Sequence, residues 1–147
     1  MTWRTYDAAA VNAIANHPDV LPGLAMGGDS VDVTTLLADR RNVAFLGEHG
    51  GALFHRTAPD VYAAHDFFAP EGRGRWALAA SREMLRTMFL EYGARLIWAE
   101  TPVENRACRM FNRWLGFASR GVCSAPWHPG SDPINMETFV MEASQCP

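Results

Sequence analysis

The chain has 147 residues, 48% hydrophobic and 20% charged, the length and make-up of one globular domain that can bury a core without disulfide or metal staples. Thirteen basic against sixteen acidic side chains leave a formal charge of −3, which excludes nucleic-acid binding by overall electrostatics. No apolar run approaches the roughly 18 residues of a membrane span, and the segment from Met1 to Asp7 is too polar for a secretory signal, so the expectation is a cytoplasmic protein with no membrane partner.

In chain order, residues 7–16 are alanine-rich and open on Asp7 as an N-cap, which predicts a helix stopped by His17-Pro18-Asp19. Residues 21–30, with Pro22, Gly23, Gly27 and Gly28, read as a loop, and a short helix follows over 33–38. Apolar runs at 42–48, 52–57 and 61–68, separated by His49-Gly50-Gly51 and Ala58-Pro59-Asp60, predict three consecutive antiparallel strands. Residues 75–92 are the strongest helix. Leu78, Leu85, Phe89 and Tyr92, with Ala77, Met84 and Met88, make a stripe at three- and four-residue spacing, and Gly93 stands just past its end.

A buried-type strand over 94–101 completes a strand–helix–strand unit, whose two strands must run parallel if they are neighbours. A second helix spans 105–115 and closes at Gly116. Two final strands, 117–123 and 134–142, flank a Pro/Gly-rich excursion. The whole predicts one α/β domain over residues 1–147, a mixed and mostly antiparallel sheet flanked by helices.

Cys108, Cys123 and Cys146 are odd in number and far apart, and neither CxxC nor HExxH spacing occurs, so the pattern predicts no disulfide framework and no metal. Two arginine groups stand out, Arg73, Arg75, Arg82 and Arg86 in one segment and Arg106, Arg109, Arg113 and Arg120 in another. Most such arginines belong to solvated helix faces. The exception is Pro70-Glu71-Gly72-Arg73-Gly74-Arg75-Trp76-Ala77, between a strand and a long helix. Its glycines let backbone approach a ligand, and the helix N-terminus offers free N–H groups and a positive dipole end, which suits a pyrophosphate.

About thirty residues on, Thr101-Pro102-Val103-Glu104-Asn105 leads into a helix ending in Leu115-Gly116-Phe117. The two segments and the unit between them, roughly residues 42–117, resemble the GNAT superfamily of acyl-CoA-dependent N-acetyltransferases. The stretches HDFFAPEGRGRWALAASREM and TPVENRA look most like small phage and prophage members. The resemblance implies acetyl-CoA as cosubstrate, an amine acceptor that is a small molecule or a protein, and compatibility with a homodimer. The turn Arg73, Gly74, Arg75, Trp76 and Ala77 would hold the pyrophosphate. Phe67 and Phe68 would lie beside the pantetheine, Asn105 would hydrogen-bond it, and Phe111 would pack near it. The parallel strands would splay to leave a cleft.

Trp76 stands where the family pattern has glycine, and Asn112 occupies the position that often carries a proton-donating tyrosine, seven residues after Asn105. Asn112 can donate a hydrogen bond but no proton. Glu100, at the place of a strand glutamate in many members, is the first candidate for the base. It equally suits an ion pair with a nearby arginine. His65 is the second candidate, although a histidine in a buried strand also serves as a satisfied core residue. Tyr62 and Asp66 share the opposite strand face, and no histidine is placed to activate Cys108 as a nucleophile. Two alternatives stand beside the enzyme: a catalytically silent CoA binder or protein-interaction member of the fold, and an accessory protein without a CoA function.

Overall fold

A computed structural model describes residues 1–24 and 28–147; the part of the loop at 25–27 lies outside the described residues. The strands are β1 (Thr2–Thr5), β2 (Val43–Gly47), β3 (Gly50–Ala58), β4 (Val61–Phe68), β5 (Leu96–Pro102), β6 (Ala118–Pro126) and β7 (Pro133–Glu142). The helices are α1 (Ala8–Ala15), α2 (Thr34–Ala38), α3 (Arg75–Leu90) and α4 (Arg106–Leu115). The strands form one sheet in the order β1-β2-β3-β4-β5-β7-β6, and β4–β5 is its parallel pair. The predicted architecture is the observed one, with β1 added at the edge.

Period-two alternation along the strands gives the sheet two faces, each with its own core. Phe54, Tyr62, Phe68 and Ile97 pack with Ala77, Met84, Met88 and Phe89 of α3 and with Leu115 of α4. Leu53 and Phe67 turn the other way, onto Val11 and Ala15 of α1 and Leu37 of α2. The stripe read from the sequence is the buried face of α3, but the helix ends at Leu90, and Tyr92 instead packs edge-on to Phe45 across the turn. Gly93, at φ +66°, makes that turn.

β4 and β5 pair through only three registers, Val61 with Leu96, Tyr62 with Ile97 and Ala63 with Trp98. Beyond these, β4 continues to Phe68 and β5 to Pro102 without bonding to each other, so the two strands part toward their C-terminal ends. β3 holds β4 along its full length, and β7 holds β5 likewise. The opening is therefore built into a rigid sheet. Among the described residues, no helix is long and apolar enough to cross a membrane.

Candidate active site

The gap between β4 and β5 opens into a cavity of about 430 Å³. Asp66 and Phe68 of β4 line it from the sheet, Arg73, Gly74 and Ala77 from the start of α3, and Asn105, Cys108 and Phe111 from α4. Asp19 and Gly23, from the loop after α1, and the exposed Trp114 of α4 complete its rim.

Gly74 caps α3 with φ 86° and ψ −127° and offers no side-chain acceptor. A side chain there is strained, since L residues rarely reach positive φ. The first turn bond is donated by Leu78 N–H to the Gly74 carbonyl, 3.0 Å. The N–H groups of Arg75, Trp76 and Ala77 thus lack helical acceptors, and the positive end of α3 lies at the cavity wall. Gly72 has a different reason. A Cβ on it would stand 2.3 Å from Cβ of His49.

The Trp76 side chain takes no part in the lining. It packs edge-on to His49 and Phe68, with ring centroids 5.1 and 5.9 Å away, and a Cβ on Gly47 would meet it at 3.0 Å. The bulky Trp76 ring turns behind the loop and leaves its backbone at the helix start. Arg75 is exposed and outside the lining. Arg73 is tied down: its Nε donates to the Phe68 carbonyl at 3.4 Å and its Nη2 to the Asp19 carbonyl, which fastens the loop after α1 to the end of β4.

Asn105 is the N-cap of α4, its Oδ1 accepting the Cys108 N–H at 3.1 Å. Phe111 meets Phe68 edge-on at 6.2 Å. Behind them Asn112 is buried and donates to Thr101 Oγ1 at 3.1 Å, and that hydroxyl lies 3.6 Å from Cys108 Sγ. Asn112 is thus an anchor between α4 and β5. We expect Asn112→Ala to lower stability by about 1–3 kcal/mol, through a lost buried hydrogen bond and the space left, as read by urea unfolding. Unchanged stability would show the anchor to be idle.

Burial pushes the Cys108 thiol up to about 11, the Thr101 hydrogen bond opposing this and the Asp66 charge adding to it, so the thiol stays protonated and inert.

Two arginines depart from the solvated reading. Arg109 Nε and Arg113 Nη2 both reach the buried Glu137 of β7, the second at 2.6 Å. Burial raises the Glu137 pKa, but hydrogen bonds from Arg109 and Ser119 and the charges of both arginines outweigh it and hold the carboxyl below its ordinary value. The pair clamps α4 onto the sheet and sets where Asn105 and Phe111 stand.

The two sequence candidates for the base lie elsewhere. Glu100 is exposed on β5, opposite Thr138, and His65 sits on the α1 face of β4, opposite Leu53; neither lines the cavity. Continued pairing would bring them level, but the strands have already parted. Burial, and then the charge of His55, push His65 down to about 4. Phe67, one residue from Phe68, is buried in the opposite core. Asp66 is the carboxylate on the cavity floor. Burial pushes it up to about 7, and no hydrogen bond offsets this among the described residues. The alternation Tyr62, Ala64, Asp66, Phe68 was legible in the sequence. Which face α3 would cover was not.

No protein-family model and no curated protein matches the sequence. Solved structures do match. Spermidine N-acetyltransferase from Vibrio cholerae, in complex with CoA and spermine, superposes with a TM-score of 0.79 at 12% identity, over 98% of this chain and 96% of that one. A GNAT-family acetyltransferase from Bacillus anthracis gives 0.73 at 17% identity, over 97% and 95%. The protein yncA from Salmonella typhimurium, solved with its cofactor acetyl-CoA, gives 0.75 at 18% identity, over 97% and 94%. The chain has the fold of the GNAT acetyltransferases.

Proposed function

We propose that this protein is an N-acetyltransferase that moves an acetyl group from acetyl-CoA to a primary amine. The observation that carries the reading is the cavity where β4 and β5 part, with a helix N-terminus on one wall and an isolated carboxylate on its floor. Its volume falls within the range of about 300–1,000 Å³ usual for small-molecule sites. CoA in one structural neighbour and acetyl-CoA in another support the choice of cosubstrate.

Acetyl-CoA would supply the acetyl group as a thioester. The N–H groups of Arg75, Trp76 and Ala77 offer hydrogen bonds to a pyrophosphate, with Arg73 beside them for charge. The amide of Asn105 and the free backbone edge of β4 near Phe67 and Phe68 suit a pantetheine chain, and Phe111 shields it from water. Asp66 takes the proton from the acceptor ammonium, which frees the nitrogen lone pair to attack the thioester carbonyl. As the C–N bond forms the C–S bond breaks, and CoA would leave as a thiolate that takes up the second amine proton through water. A carboxyl that titrates near neutral pH is matched to this task. His65, pushed down to about 4, is a far weaker proton acceptor.

Acetyl-CoA should raise the melting temperature, because a ligand bound only by the native state stabilises it. Thiol release with a panel of primary amines then tests turnover. The panel starts with polyamines, since the Vibrio cholerae neighbour holds spermine. No shift with any acyl-CoA sinks the proposal, and a shift without turnover on any amine marks a silent binder. Glu100→Gln should keep kcat/KM within about threefold, and a hundredfold loss would move the base to the end of β5.

A further inference from the structure

The Asp66 carboxyl borders a second space. Between β4, α3, β5 and α4 lies an internal cavity of about 10 Å³, room for the centre of one water molecule. Among the described residues, Asp66 is the one that lines both this cavity and the cleft. Phe54, Ala64, Met84 and Leu115 make most of the small cavity's wall apolar, but three polar side chains meet there: Asp66, Ser81 and Asn112.

Ser81 is on the buried face of α3, only 3% exposed, and its hydroxyl has no hydrogen-bond partner among the described residues. A helical serine commonly turns back to the carbonyl four residues earlier; this one does not. Asn112 has committed one amide hydrogen to Thr101, which leaves its carbonyl oxygen as an acceptor. A buried water is held by two to four polar partners, and these side chains provide three.

We infer that the cavity is a site for one structural water, held by Ser81 and Asn112 against the back of Asp66, and that Ser81 is a positioning residue for that carboxyl. The catalytic consequence rests on the proposed role of Asp66 as the base. The Ser81 hydroxyl donates to the water oxygen, and the two water hydrogens go to Asp66 and to Asn112 Oδ1. When Asp66 is protonated, the water accepts from it and turns a hydrogen to Ser81 Oγ. One water thus serves both protonation states, and the carboxyl keeps a fixed orientation toward the cleft while its charge changes. Donation to the carboxylate favours the ionised form, so losing it raises the pKa. The other titratable or charged groups lining the cleft with Asp66 are Asp19, Arg73 and Cys108. The small cavity adds none, β5 presents Ala99, and on β3 the Asp66 partner is Ala52.

The test is Ser81→Ala in the full chain, with the Asp66 titration followed by its carboxyl infrared band and assigned with Asp66→Asn. We expect the titration to move up by about one pH unit, the equivalent of one hydrogen bond, with the acid limb of the kcat/KM profile moving alongside it. A dry cavity predicts the opposite. Alanine would then remove an unsatisfied hydroxyl and improve helix propensity, so the melting temperature would rise and the titration would stay in place. That result overturns the water site. The infrared reading needs no turnover, so a protein that acetylates no amine would still decide this inference by itself.

Discussion

Asp66→Asn is expected to lower kcat/KM for acetyl transfer by about 10²- to 10⁴-fold, the range for a lost general base, while the thermal shift with acetyl-CoA stays in place. Asparagine keeps the shape of the side chain and removes its ability to take a proton. In the proposed binding mode the cosubstrate would be held by backbone N–H groups and α4, which the substitution does not touch. In the unsubstituted protein, kcat/KM should fall about tenfold per pH unit below pH 7, as the carboxyl near that value protonates.

The same substitution has an opposite effect on stability. An aspartate carboxyl in an unfolded chain titrates near ~3.9, whereas burial pushes Asp66 up to about 7. The folded state therefore holds the proton more tightly. Its contribution to stability is full below pH ~4 and is lost as pH rises to about 7, where the carboxylate must ionise inside the protein. Asp66→Asn escapes that loss and should melt higher than the unsubstituted protein at pH 8, with the gap closing toward pH 4. A protein less stable with its buried carboxylate than without it shows the usual cost of a pre-formed site. Full activity in Asp66→Asn would return the base to His65 or Glu100, and an equal melting temperature at pH 8 would show the carboxyl to be well solvated.

Gly74→Trp should abolish the acetyl-CoA thermal shift. The substitution has two effects that can be separated. Strain at φ 86° costs about 1–2 kcal/mol, which lowers the melting temperature by roughly 2–8 °C in a chain of this size. The indole, with no heavy atom within 4 Å of its Cβ to hold it elsewhere, covers the open N–H groups at the start of α3. Gly74→Ala carries the same strain without the ring and should keep most of the ligand shift. Equal shifts in both variants would mean that the helix start does not bind the pyrophosphate.

Much of the fold was legible from local pattern. The α3 stripe, the turns at Gly50 and Asp60 and the cap at Asp7 follow from periodicity and from residues that suit one backbone geometry, which a sequence displays directly. β1 did not show. Thr2–Thr5 is short and mostly polar, and it becomes a strand only because β2 presents an open edge to it. Motif picked out the turn Arg73–Ala77 and Asn105 as candidates for a cosubstrate, whereas which side chains face the cavity was decided by tertiary structure. Where β4 and β5 part determines that Asp66, and neither His65 nor Glu100, meets the cavity. Alternation assigns residues to two faces but does not say which face a helix will cover. Burial, which sets the Asp66 pKa and makes an anchor of Asn112, is a property of the packed elements and of no single segment.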